Sequence, residues 1–336
     1  MAADAPTRFG SERPGAAAPR VVSAADDEGE SVELLGENDE LDLHDAEVGG
    51  RVEETLKALE NELVGLEPVK TRVREIGALL LVDRARQQFG LASSRPTLHM
   101  SFTGGPGTGK TTVAQRMAQM LHALGYIRSP KVYTVTRDDL VGQFIGHTAP
   151  KTKEAIARAA GGILFIDEAY YLFRPENERD YGQEVIEILL TEMESDRTSL
   201  VVIFAGYEDR METFFSANPG LSSRVPHHIA FDDYDHDELV RIADLMVAKE
   251  NFRFDDRGRA AFSEYLSLRM REPRFSNARS VRNAIERCRL RQAKRLVELE
   301  HPLTRDDLVT LTAADVQGSS LFHTGAVGGR SDDKEA

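Results

Sequence analysis

The spacing of apolar residues changes repeatedly along this chain. Between Val52 and Leu91 they recur every three or four positions, at Leu56, Leu59, Leu63 and Leu66 and then at Val69, Val73, Ile76 and Leu80. That period lays an apolar stripe along a helix. Gly65 and Pro68 interrupt it, which predicts two helices joined across Val64–Pro68. Beyond residue 97, short apolar runs replace the stripes. Strands are predicted at Leu98–Thr103, Val132–Thr136, Ile163–Ile166, Leu200–Ala205 and His228–Phe231. Helical patterns such as Lys110–Leu124 and Lys151–Ala160 separate them. This alternation predicts an α/β fold with a five-stranded parallel sheet covered on both faces. After Asp235 the strand signals stop. Asp237–Lys249, Arg257–Arg269, Asn277–Leu299 and Arg305–Gln317 all read as helix.

The pattern divides the chain into an extension at residues 1–50, a helical linker at 51–96, an α/β unit at 97–235, a small all-helical lid at 236–318 and a tail at 319–336. The tail is rich in glycine and charge and is expected to fray. The extension carries acids from Asp26 to Glu47, with no Lys or Arg between Arg20 and Arg51. Such a segment repels itself and buries little, so it reads as disordered. It is either a solvated tail or an acidic arm for a partner or for autoregulation.

Hydrophobic residues make up 41% of the chain and charged residues 29%, enough for a packed core. The net charge of -14 argues against a nucleic-acid partner. The single cysteine, Cys288, excludes an intramolecular disulfide and reads as a small core residue. No apolar run has the length of a membrane span, and the N-terminus lacks a secretory core. A cytoplasmic protein with no membrane partner is expected.

One motif names the chemistry. Gly104-Gly105-Pro106-Gly107-Thr108-Gly109-Lys110-Thr111 matches the phosphate-binding Walker A loop, between a predicted strand and a predicted helix. The glycines let backbone N–H groups curl around phosphates. Lys110 can reach the β and γ phosphates, the Thr111 hydroxyl can ligate Mg²⁺, and Thr112 follows on the same turn. The helix start adds its positive dipole end. Downstream, Ile163-Leu164-Phe165-Ile166-Asp167-Glu168 is an apolar strand ending in two carboxylates, the Walker B pattern. Asp167 is expected in the Mg²⁺ shell and Glu168 beside the attacking water. Together these predict ATP hydrolysis with Mg²⁺.

Phosphoryl transfer also needs positive charge in the transition state. Arg224 falls between the fourth and fifth strands, where AAA+ rings place the finger offered to a neighbour's nucleotide. The alternative is a surface arginine paired with an acid. In the lid, Arg279 and Arg282 lie three apart on one helix face. Arg279 resembles the AAA+ sensor 2, the alternative being two solvated arginines. After the second strand, Phe144-Ile145-Gly146 has the aromatic–aliphatic–glycine form of an AAA+ pore loop, with Gly142 before it. An exposed aromatic there can grip a peptide by apolar contact. The alternative is a core phenylalanine.

From about Leu56 to Phe322 the chain resembles the CbbX family of red-type Rubisco activases, within the AAA+ ATPases. The resemblance rests on Thr97–Gly104, on Thr136–Lys153, on Asp167-Glu168-Ala169-Tyr170-Tyr171-Leu172, on Asn177–Glu184 and on Asn277–Asn283. It implies a homo-hexamer that uses ATP to tug the C-terminal tail of the Rubisco large subunit into its pore. The pull releases inhibitory sugar phosphates such as ribulose 1,5-bisphosphate. It also implies that ribulose 1,5-bisphosphate tunes the ATPase as an allosteric ligand. Arg137, His147, Lys151, Lys153, Arg174 and Arg179 are the cations available for it near the pore-side loops.

Three features depart from the expected pattern. Phe144 stands where relatives usually carry Tyr, and the acidic extension is longer than expected. The fourth strand ends Phe204-Ala205-Gly206-Tyr207, without the Asn or Thr of AAA+ sensor 1. CbbX-like proteins share that last trait, and it leaves the partner of Glu168 unassigned. The competing reading is a sporulation- or secretion-type AAA+ ATPase acting on another protein.

Overall fold

The computed structural model describes residues 35–36, 39–43, 49–91, 96–174, 180–195, 200–319 and 321–324. The acidic extension lies largely outside them. Within its described part, the Leu35 backbone N–H donates to the Gln88 carbonyl at 2.9 Å.

Helices α1 (Gly49–Glu62) and α2 (Glu67–Gln88) precede the sheet. Their connection turns through Gly65 at φ 61° and Leu66 at φ 54°, and Pro68 opens α2. Proline suits that position because the first helical N–H has no intrahelical partner anyway. The chain then alternates: β1 (Met100–Gly104), α3 (Lys110–Ala123), β2 (Val132–Val135), α4 (Arg137–Leu140), α5 (Thr148–Ala159) and β3 (Ile163–Ile166). A short 3₁₀ turn, Ala169–Leu172, precedes α6 (Gly182–Met193), β4 (Val201–Gly206), α7 (Glu208–Ala217), α8 (Pro219–Arg224) and β5 (His227–Phe231). All five strands are parallel, in the order β2-β3-β4-β1-β5.

The strands show why the sheet has two dry faces. Every residue of β3 and of β4 is buried, as expected for strands covered on both sides. Successive side chains go to opposite faces. Phe102, Phe165, Ile203 and Phe231 join α1, α2, α3 and the C-terminal helices in one apolar cluster. Leu164, Ile166, Val202 and Phe204 join α5, α6 and α7 in the other. β5, at the edge, alternates buried and exposed residues. The linker helices, one face of the sheet and the lid thus share one continuous core.

The lid holds α9 (His236–Lys249), α10 (Asp256–Arg269), α11 (Asn277–Val297), α12 (Arg305–Val309), α13 (Ala313–Gln317) and α14 (Leu321–Thr324). α9 starts on a capping box: the Glu238 N–H donates to Asp235 at 2.7 Å and the Asp235 N–H donates back to Glu238 at 2.9 Å.

Three expectations need correction here. The lid is not purely helical, because β6 (Arg253–Phe254) pairs in parallel with β7 (Thr310–Leu311). Strands this short show no alternation. The single helix expected over Arg305–Gln317 is broken by β7, since Thr304 and Thr312 each open a separate capping box. Asp315 fixes the second break. It is buried and takes two hydrogen bonds from the Arg295 guanidinium, at 3.0 and 2.9 Å. The tail, too, begins in order: Phe322 lies 6.4 Å from the Tyr265 ring. Among the described residues no helix is long and apolar enough to cross a membrane.

Phe204 is fully buried, with Phe214 and Phe215 each 6.1 Å away. Phe204→Ala leaves a cavity under the central sheet and should lower unfolding free energy by about 3–5 kcal/mol, read from urea denaturation.

Candidate active site

The chain crosses from β1, next to the β5 edge of the sheet, to β2 at the opposite edge. A crevice forms there at the carboxyl ends of the strands, the usual ligand position in open parallel sheets. It is a cleft of about 500 Å³. Gly104, Pro106, Gly107, Thr108, Gly109, Lys110, Thr111 and Thr112 line it, together with Asp167, Glu168 and Arg279. Gly105 is not among the lining residues.

The phosphate loop takes its shape from glycine. Gly104, Gly107 and Gly109 have φ of 143°, 75° and 97°. At Gly107 a Cβ would stand 2.3 Å from the Ser276 carbonyl oxygen and 2.9 Å from the Arg279 nitrogen. At Gly104 it would stand 2.2 Å from the Phe231 carbonyl oxygen, and at Gly105 2.6 Å from Asp233 Oδ1. Side chains here would collide with β5 and with the lid.

Lys110 donates to the carbonyls of Gly104 at 2.8 Å and Gly105 at 2.6 Å. Its pKa is lowered from the usual lysine value. Burial is the main cause, Asp167 and Asp233 oppose the shift, and the positive charge of Arg279 adds to it. A half-buried ammonium sharing a cleft with Arg279 and Arg282 favours an anion.

The donor set therefore fits a magnesium nucleotide. The lining combines the cations Lys110, Arg279 and Arg282 with the carboxylates Asp167 and Glu168, and Thr111 supplies a hydroxyl. Leu63, Ile242, Met246 and Ala278 add apolar lining of the kind that suits a base. Arg279 and Arg282 both line the cleft and both are exposed, so lining the nucleotide site and being solvated are compatible here.

The lid is stitched to the loop by a residue that the sequence reading gave no role. Asn277, buried and at φ 47°, donates to Asp233 Oδ1 at 2.7 Å and to the Pro106 carbonyl at 3.3 Å. Its own Oδ1 accepts from the Tyr234 N–H at 3.1 Å. The Ala278 N–H donates to the Gly107 carbonyl at 3.2 Å, and the Tyr234 hydroxyl to the Thr108 carbonyl at 3.1 Å. Its place in Asn277-Ala278-Arg279 was the available signal. Its left-handed backbone could not be seen in the sequence.

Other candidates lie outside the cleft. Arg224 is not among its lining residues. Its guanidinium pairs with Glu194 and donates to the Gly220 carbonyl at 2.9 Å. Its Nε is buried with no hydrogen-bond partner among the described residues. The acid pairing weighed for this arginine is therefore present within the chain.

The loop between α4 and α5 carries Phe144 at 65% exposed and Ile145 at 84%, so Phe144 is not a core residue. Gly146 turns there at φ 79°, with nothing within 4 Å of where a Cβ would be. Of the six cations considered for a sugar phosphate, Arg137 is held by the well-buried Asp180 and by the Tyr171 carbonyl at 2.7 Å. Lys151 donates to the carbonyls of Asp138 and Val141. Arg174 lies over the Tyr171 ring, and Arg179 is outside the described residues.

Two family models match the chain. One, described as "ATPase family associated with various cellular activities (AAA)", covers residues 100–233, and the other, "AAA lid domain", covers 235–324. The chain is 59% identical over 285 residues to the chromosomal protein CbxX of Cupriavidus necator, across 84% of this chain and 90% of that protein. It is 57% identical to protein CbbX of Cereibacter sphaeroides, across 85% and 93% of the two chains. It is also 57% identical to the chloroplastic ribulose bisphosphate carboxylase/oxygenase activase of Cyanidioschyzon merolae, across 81% and 93%.

Gly107→Ala tests the loop geometry. The added methyl must push the start of α11 away from the loop, so nucleotide affinity should fall about ten-fold or more. Titration with a fluorescent ATP analogue measures it.

Proposed function

Because the chain belongs to the CbbX/CfxQ family of AAA+ ATPases, we propose that it is an ATP-driven remodeller of red-type Rubisco. The relative named as a Rubisco activase supports that client. In this reading the chain forms a homo-hexameric ring. It draws the C-terminal tail of the Rubisco large subunit toward a central pore, and the pull frees an active site blocked by a sugar phosphate such as ribulose 1,5-bisphosphate. The same sugar phosphate acts as an allosteric ligand of the ATPase.

The cleft residues divide the work. Lys110 and the loop amides from Gly104 to Thr111 hold the phosphates. Thr111 and Asp167 hold the magnesium shell, and the bound ion offsets charge on the transferring phosphoryl group. Glu168 orients the attacking water, and Arg279 brings positive charge from the lid. Arg224, outside its own cleft, is offered to the nucleotide of the neighbouring subunit. On that account Arg224 exchanges Glu194 for a phosphate when the ring assembles.

The observation that carries the mechanical part is the loop at 142–146. An aromatic and a branched aliphatic side chain stand in solvent between two glycines. Apolar side chains held out this way suit a passing peptide of any sequence. They lie on the chain segment that leaves β2, beside the Walker B strand β3.

Phe144→Ala should uncouple the two halves: ATP is still hydrolysed, while recovery of inhibited Rubisco falls to background in a carboxylation assay. Full recovery by this variant would rule out threading by that side chain. Arg224→Ala should bind nucleotide normally and lose about 10³-fold or more in hydrolysis, the usual worth of an arginine finger. Mixed with the parent protein, it should lower the rate below the sum of the parts.

A further inference from the structure

The Walker B glutamate has an unusual neighbourhood. Glu168 sits in the left-handed region at φ 52°, a backbone conformation that a non-glycine residue keeps only when its surroundings compensate. The 3₁₀ turn that follows brings Tyr170 back toward it. The Tyr170 hydroxyl donates to Glu168 Oε1 at 3.0 Å. Among the described residues, Tyr170 is the one side chain that hydrogen-bonds this carboxylate.

The seat of Tyr170 is made by β4. That strand ends in Gly206, where a Cβ would stand 2.7 Å from Tyr170 Cδ1. The missing side chain makes room for the ring. Tyr207, next in line, faces the cleft and lies 6.1 Å from the Tyr170 ring. The strand end that lacks an Asn or Thr beside Glu168 thus admits a tyrosine in its place.

The ring is well fixed. Tyr170 is 6% exposed and belongs to the core cluster on that face of the sheet. Tyr171 lies 4.7 Å away, and the Arg210 guanidinium covers the ring at 5.0 Å. Arg137 holds the same turn through the Tyr171 carbonyl. Burial, with Glu168 adding to it, pushes the phenol pKa well above its usual value, so the hydroxyl stays a donor.

We propose that Tyr170 is the positioning residue for Glu168: its hydroxyl holds Oε1 and leaves Oε2 for the attacking water. The residue takes the place of the polar side chain that β4 lacks. A hydrogen bond to a charged group fixes the carboxylate rotamer before the water arrives, which is where preorganisation acts. This inference rests on the reading of Glu168 as the water-orienting carboxylate.

Tyr170→Phe keeps the ring and its packing and removes only the hydroxyl. The kcat for ATP should fall about ten- to hundred-fold, the worth of one hydrogen bond to a charged group. KM, fluorescent-nucleotide affinity and the thermal midpoint should stay at parent values, because the hydroxyl acts on the water and not on the bound nucleotide. In a Glu168→Gln background the same change should cost nothing further.

If Glu168→Gln alone hydrolyses ATP at the parent rate, the reading of Glu168 fails and this inference falls with it. If Glu168→Gln is inactive while Tyr170→Phe keeps or exceeds the parent kcat, only the role of Tyr170 is overturned. A loss in kcat matched by a loss in affinity or thermal midpoint would mark Tyr170 as structural and overturn it as well.

Discussion

The backbone of the phosphate loop touches the backbone of the lid at Gly107. The Gly107 carbonyl accepts from the Ala278 N–H, and the Ser276 carbonyl lies where a side chain at 107 would be. A contact this close exists only because residue 107 has no Cβ and can hold φ 75°. It places the first turn of α11 directly over the loop and so puts Arg279 in the same cleft as Lys110. Asn277 locks the arrangement from the side, tying the lid to Asp233 and Pro106. The cleft is therefore lined by residues of both the α/β unit and the lid.

Three structures lead away from that cleft, and each leaves from a strand end or helix near it. The Walker B strand β3 runs beside β2, whose exit leads through α4 to the exposed Phe144 and Ile145. Arg137 in α4 grips the turn that carries Tyr170, so the stem of the loop and the partner of Glu168 share one anchor. At the end of α8, Arg224 pairs with Glu194. The acid pairing and the finger reading of Arg224 are compatible. Glu194 is exposed, and an exposed ion pair contributes little stability.

Much of this was legible in the sequence, because it rests on local rules. β3 and β4 are unbroken apolar runs, and such runs become buried parallel strands. The Gly-rich loop could be read because only glycine tolerates its φ values beside a phosphate. Phe144 could be placed outside the core because Gly, Gln and His surround it. What escaped depends on contacts between distant segments. The pairing of Arg253–Phe254 with Thr310–Leu311 spans much of the lid and has no period of its own. The role of Asn277 depends on Asp233 and Pro106, and the Arg137–Asp180 pair joins α4 to the segment just before α6. Gly206 read only as a missing polar residue. Its use, as the seat for Tyr170, appears once β4 and the 3₁₀ turn lie side by side.

The central claim is that nucleotide chemistry in this cleft drives work on Rubisco. The most direct measurement is ATP hydrolysis with and without ribulose 1,5-bisphosphate, alongside recovery of carboxylation by inhibitor-blocked red-type Rubisco. The account predicts hydrolysis stimulated by the sugar phosphate and recovery that requires ATP. Steady hydrolysis with no response to the sugar phosphate and no recovery of Rubisco would contradict it, leaving an ATPase with a different client.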